Sequence, residues 1–164
     1  MDLSKALEAR EVLNITLVEP EIPNNTGNIG RTCVGLRSSL HLVGPLSFDL
    51  SEKKVRRAGL DYWPHLNLHQ YESTEEWLSS LKDRSRVFLF TTKAEKSFYD
   101  VDYQVGDTLV FGKETAGLSA ELRGMFAESC VKLPMPGEVR SFNLANTVAV
   151  AAFEAYRQIE KANS

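Results

Sequence analysis

Hydrophobic and polar positions along the chain alternate between two periods. Short apolar runs rich in β-branched residues are separated by stretches in which apolar residues recur every three or four positions. The run NITLVE (14–19) predicts a strand ending at Pro20. The stretch after it predicts a helix from about Thr26 to Arg37, with Ile29, Cys33, Val34 and Leu36 on its apolar side. HLVG (41–44) predicts a second strand, SEKKVRRAG (51–59) a helix stopped by Gly59, and the alternating HLNLHQY (65–71) a third strand. STEEWLSSLK (73–82) opens with Ser73 or Thr74 ahead of Glu75 and Glu76, a helix-cap signature. RVFLFTT (86–92) and DTLVFG (107–112) are almost continuously apolar, as strands covered on both faces are. SAELRGMF (119–126) predicts a short helix, CVKLP (130–134) a strand and residues 142–161 a long final helix, while the first ten or so residues predict a helical lead-in. Strands spaced by helices predict an α/β fold, a parallel sheet with helices on both faces. Ligands of such sheets bind at the carboxyl ends of the strands, so the segments that follow each strand are the ones to search for chemistry.

Composition narrows the class without choosing a function. A chain of 164 residues with 43% hydrophobic and 25% charged residues predicts one globular domain (1–164, with 1–12 as a short extension) rather than a disordered or fibrous chain. It buries enough surface to fold without staples. No apolar run approaches the roughly 18–20 residues of a membrane helix, and MDLSKALEAREV lacks a signal-peptide core, so a cytoplasmic protein is expected. Cys33 and Cys130 stand far apart in apolar surroundings, which predicts buried thiols rather than a disulfide. His65 and His69 have i, i+4 spacing, but a strand would separate them and no thiol or carboxylate completes a zinc set, so no metal is expected. The formal net charge of -3 favours a small-molecule enzyme or a protein-binding domain over a nucleic-acid partner.

Three post-strand segments carry candidate chemistry. In EPEIPNNTGNIGR (19–31), two prolines stiffen the loop, and Asn24, Asn25 and Gly27 permit unusual backbone angles. Arg31 is expected about one turn into the next helix, where the helix N-terminus and a guanidinium together suit a phosphate. An ordinary Asn/Thr-capped helix with a solvated arginine explains the same residues equally well. A dinucleotide fingerprint would need G-x-G-x-x-G directly after the strand, and Gly27 and Gly30 alone do not supply it. In FGKETAGLS (111–119), Gly112 and Gly117 allow close backbone approach, and Glu114 places a carboxylate at a strand end where it could accept hydrogen bonds from a ribose or amine. In LPMPGEVRSFNLANTVA (133–149), a proline-stiffened loop leads to Ser141 and Asn143 at a helix start, and Asn146 and Thr147 are polar positions in apolar surroundings that need partners.

Taken together and in this order, the segments Asn25-Thr-Gly-Asn-Ile-Gly-Arg31, Phe111-Gly-Lys-Glu114-Thr-Ala-Gly117-Leu and Arg140-Ser141-Phe-Asn143-Leu-Ala-Asn146 resemble the three motifs of the SPOUT methyltransferases, in particular the small TrmL-like (YibK-type) tRNA ribose methyltransferases. The likeness runs over about residues 13–160, and RRAGLDYW (56–63) is similar to this subgroup as well. The resemblance implies a C-terminal trefoil knot, which rules of chain topology would otherwise exclude. It implies S-adenosylmethionine as methyl donor, held by Phe90, Thr91, Gly112, Glu114, Leu133, Met135, Ser141 and Asn143. It implies Arg31, Asn25 and Ser141 as the catalytic set, and a homodimer with the site at the interface. A face of the final helix carrying Val148, Ala152 and Ala155 fits a close-packed partner, although a core helix accounts for it too. The implied substrate is wobble nucleotide 34 of leucine tRNAs; relatives with these motifs modify other tRNA or ribosomal RNA sites.

A guanidinium holds its proton through the neutral range and is a poor base. Arg31 is therefore expected to grip a phosphate and stabilise developing alkoxide charge. RNA affinity is expected from local charge: KKVRR (53–57) sets four cations in five residues, among them Lys54, Arg56 and Arg57. A solvated helix face would produce the same run. The competing classes are a nucleotide-dependent oxidoreductase and a non-catalytic RNA-binding protein, and neither gives a reason for all three segments together.

Overall fold

A computed structural model describes residues 10–51, 53, 55, 57 and 61–163. Its centre is a six-stranded sheet in which every pairing is parallel. The strands are β1 (Asn14–Val18), β2 (Ser39–Val43), β3 (Leu68–Tyr71), β4 (Val87–Phe90), β5 (Thr108–Phe111) and β6 (Cys130–Val131), in the order β3-β2-β1-β5-β4-β6. The apolar runs of the sequence become these strands, and the central ones, β1, β4 and β5, are buried almost end to end.

Alternation along each strand divides the core in two. Ile15, Leu17, Leu40, Leu42, Leu109, Phe111, Phe88 and Phe90 point to one face. There they meet Ile29 and Cys33 of helix α1 (Pro23–Gly35) and Val148, Ala151, Ala152, Ala155 and Ile159 of helix α4 (Leu144–Ala162). Val18, Val43, Val87, Leu89 and Val110 point to the other face and pack on Trp77 of α2 (Thr74–Ser80) and on Leu118, Leu122 and Phe126 in and beside α3 (Ala120–Met125). Ser73 caps α2 by accepting the Glu76 N–H at 3.2 Å, as the cap signature predicts.

The structure departs from the sequence reading at several places. Helix α1 starts at Pro23, not near Thr26, because proline is pre-set for the first helical position. Arg31 therefore lies more than two turns inside the helix, and the helix N-terminus cannot share an anion with it. Val148, Ala152 and Ala155 are buried against the chain's own core, so this stripe is not a partner face. Asn146 is exposed and needs no protein partner. Val12 is 3% exposed and joins the core although it falls in the expected extension. Cys33 and Cys130 are both free thiols; Cys33 is buried and Cys130 half-buried, and burial pushes both thiols up from their ordinary pKa. His65 belongs to a short helical turn (Trp63–His65) and His69 to β3, which separates them. Residues 53, 55 and 57 are helical as expected, while the lead-in at residues 1–9, Lys54, Arg56 and Gly59 lie outside the described residues. Among the described residues no helix is long and apolar enough to cross a membrane, and no group of three metal-ligating side chains comes together.

Candidate active site

A cavity of about 720 Å³ opens at the carboxyl ends of β4, β5 and β6. All eight residues expected to hold the methyl donor line it: Phe90, Thr91, Gly112, Glu114, Leu133, Met135, Ser141 and Asn143. Asn25 lines it too. Of the three residues expected to be catalytic, Asn25 and Ser141 are thus brought together and Arg31 is not among the lining residues.

The segment after β5 owes its shape to a missing side chain. A Cβ on Gly112 would fall 2.2 Å from the carbonyl carbon of Gly117, so only glycine lets residues 117–118 fold back over residue 112. Gly117, at φ +66°, makes the reversal and donates its N–H to the Lys113 carbonyl at 2.9 Å. This turn presents Glu114 to the first loop.

Glu114 does not point free toward a ligand. Its Oε1 accepts the N–H of Glu21 at 2.9 Å, and its Oε2 accepts the N–H of Ile22 at 2.7 Å and the Asn25 side-chain amide at 3.2 Å. The carboxylate thus takes the backbone donors at the start of α1, where negative charge is favoured. Glu21 answers in the opposite direction: its Oε1 accepts the Thr115 N–H at 3.0 Å and the Thr115 hydroxyl at 2.7 Å. These bonds lower the Glu21 pKa below the ordinary carboxylate value, with the Thr115 hydroxyl the largest cause. Asn25, 6% exposed, also accepts the Asn143 side-chain amide at 3.1 Å, and Asn143 caps α4 by accepting the Asn146 N–H at 3.2 Å. One hydrogen-bonded chain therefore links all three loops, with Asn25 at its middle. Ser141 sits two residues before the cap, exposed, and lines the cavity.

The cavity is large enough for a nucleoside-sized ligand. Phe90, Leu133 and Met135 give apolar walls, the volume lies within the usual range for such sites, and the glycine turn brings backbone polar groups to the edge. Lys93, Lys113 and Arg140 also line it, although the sequence reading gives them no role. Their signal is adjacency, since Lys113 precedes Glu114 and Arg140 precedes Ser141. Of the expected RNA patch, Arg57 is exposed on a helical segment, as is Lys53.

A parallel sheet with a cavity built by three loops at its carboxyl edge is the arrangement in which α/β proteins hold their ligands. Residues 12–153 match the SpoU rRNA methylase family, and the chain belongs to that family. It is 46% identical over 149 residues to the tRNA (cytidine(34)-2'-O)-methyltransferase of Burkholderia pseudomallei, covering 90% of this chain and 96% of the relative. It is 45% identical over 148 residues to the enzyme of the same name from Methylovorus glucosotrophus, with the same coverage. A solved structure concerning the 2-OH methylation of C/U34 on tRNA superposes with a TM-score of 0.85 at 49% identity, covering 89% of this chain and 95% of that one. The SpoU methyltransferase AviRb from Streptomyces viridochromogenes, solved with AdoMet, gives a TM-score of 0.80 at 26% identity over 91% of this chain and 58% of that one.

Proposed function

We infer that this chain transfers a methyl group from S-adenosylmethionine to the ribose 2'-hydroxyl of wobble nucleotide 34 of tRNA, with leucine tRNAs as the substrates. The observation that carries the reading is the junction at Asn25, which ties the loop after β1 to Glu114 and to Asn143 around one cavity. The activity named for relatives that match nearly the full chain supports the reaction and the nucleotide. S-adenosylmethionine would supply a methyl group on a sulfonium: the O–CH3 bond would form as the S–CH3 bond breaks to leave a neutral thioether, and the hydroxyl proton would pass to solvent.

The chain's own residues then have to orient, and orientation alone supplies roughly 7–11 kcal/mol in well-aligned reactions. Phe90, Thr91 and Gly112 would line the pocket for the cofactor's adenosine, with Leu133 and Met135 as apolar walls for its base. Ser141 and Asn143 meet its polar parts from the third loop. Glu114 acts through the first loop, holding Asn25 and the start of α1 in place. Arg31 grips the phosphate beside the target ribose and stabilises negative charge growing on the 2'-oxygen. Lys54, Arg56 and Arg57 contribute phosphate contacts.

Two features support a homodimer in which Arg31 of one copy serves the other's cavity. Arg31 is exposed and does not line its own chain's cavity. Ile22, Phe142, Val150 and Phe153 are large apolar side chains between 44% and 55% exposed, two of them on α4. The knotted path is inferred from the likeness of the three segments to SPOUT methyltransferases; β6 lies at the sheet edge beside β4, and the segment after it lines the cavity before α4 packs on α1. The 164 residues form one domain with a short N-terminal extension, working in the cytoplasm without a metal. Incubation with methyl-labelled S-adenosylmethionine and total tRNA tests the reaction. Label is expected in tRNA as a 2'-O-methylated nucleotide; no incorporation by folded protein contradicts the reading.

A further inference from the structure

Arg31 is exposed on α1, and a free arginine there would sample many rotamers. Its guanidinium is held instead. The guanidinium carbon stands 5.0 Å from the centre of the Tyr62 ring, and Nη1 donates to the Tyr62 hydroxyl at 3.4 Å. Tyr62 thus meets the arginine with both its face and its hydroxyl.

The tyrosine is fixed relative to that helix. It enters the turn Trp63–His65, its carbonyl accepting the His65 N–H at 2.9 Å, and the Trp63 carbonyl accepts the Leu66 N–H at 3.1 Å. Trp63 and Leu66 rest on Gly30, the residue before Arg31. A Cβ at Gly30 would stand 3.0 Å from Trp63 Cζ3 and 3.3 Å from Leu66 Cδ2. Glycine at this position lets the 62–66 segment dock against the helix one residue from the arginine, and this docking places the Tyr62 ring beside the guanidinium.

We propose that Tyr62 is the positioning residue of the methyl transfer, holding the Arg31 guanidinium plane ready for the phosphate and 2'-oxygen of the target nucleotide. The proposal rests on the role given to Arg31 above. Pre-ordering a long side chain removes a cost otherwise met on binding the transition state. Loss of the ring should therefore appear in kcat rather than in the KM for S-adenosylmethionine, whose cavity Tyr62 does not line.

Tyr62→Met keeps apolar bulk for packing and removes the aromatic face. Tyr62→Phe and Tyr62→Trp keep the face and lose the phenol. Single-turnover methylation of tRNA by Tyr62→Met is expected to fall about tenfold, with the KM for S-adenosylmethionine unchanged, while Phe and Trp stay within about threefold of the parent. In an Arg31→Ala background, Tyr62→Met should cost nothing further. If Arg31→Ala alone leaves the rate near the parent's, the role given to Arg31 fails and the proposal with it. If Arg31→Ala lowers the rate strongly but measurably while Tyr62→Met matches the parent, the positioning role alone is overturned. That role is overturned as well if the Phe and Trp variants fall as far as Met, or if Tyr62→Met costs as much without Arg31 as with it. Should Tyr62→Met lose its melting transition, the Phe and Trp rates decide by the same criterion.

Discussion

His41 stands on β2 with its ring 4.5 Å from the ring of His69 on the adjacent strand, and its nitrogens lie 3.0 Å from the Tyr71 hydroxyl and 2.8 Å from the Ser39 hydroxyl. Burial, with the neighbouring imidazole adding to it, lowers its pKa from 6.5 to about 4. The folded chain therefore refuses a proton that the unfolded chain accepts below pH 6.5. The stability this group contributes is complete above 6.5 and is lost as the pH falls toward 4, by up to ~1.4 kcal/mol per pH unit. Urea unfolding of the parent and of His41→Gln at about pH 7 and about pH 5 should show the parent losing on the order of 2 kcal/mol more than the variant. Equal losses would mean that His41 does not titrate in this way. Little of this is legible in the sequence, because apart from Ser39 on the same strand the partners of His41 arrive through strand pairing from residues up to 30 positions away. Glu114 is a similar case. The sequence marks it as a strand-end carboxylate suited to a ribose, and only the fold shows its oxygens turned to the loop before α1.

Elements are easier to read from the chain than contacts. Apolar runs name five of the strands, since a buried strand needs only local composition to declare itself; β3, half-buried or exposed along its length, shows instead in the alternation of HLNLHQY, and the order of strands and helices predicts the parallel sheet. Ends are less legible: the polar stretch PNNTG conceals a helix start because its capping acceptor, Glu114, comes from another loop. The final helix is evident in the sequence but its sides are not, because small apolar residues suit both a core and a tight interface. The cross-links between loops make a prediction at this scale. Glu114→Gln replaces one carboxylate oxygen by an amide that faces donors, leaving at least one backbone N–H of Glu21 or Ile22 unmatched. Thermal unfolding should show a loss of about 1–3 kcal/mol. Titration with S-adenosylmethionine should show weaker binding, since Asn25 and Asn143 would lose their anchor. A variant with the parent's stability and affinity would show that Glu114 does not hold the loops together.

At the scale of the molecule, the net charge of -3 misdirects, because a sum cannot show where cations lie. Lys93, Lys113 and Arg140 line the cavity while acids such as Glu21 and Glu114 are bonded to the backbone of neighbouring loops. The exposed apolar side chains of α4 make the prediction at this scale. Val150→Glu with Phe153→Glu would put two carboxylates into the proposed contact between copies. Sedimentation should then show the mass of one chain instead of two, with activity lost because Arg31 would no longer reach a partner's cavity. A double variant that keeps both the dimer mass and the parent's activity would place the interface elsewhere. The most direct measurement concerns the atom that receives the methyl group. A leucine tRNA made with ribose at every position and one differing only by a 2'-deoxy nucleotide at position 34 are offered with labelled S-adenosylmethionine. Methylation of the first and none of the second is predicted; equal label in both would contradict the account.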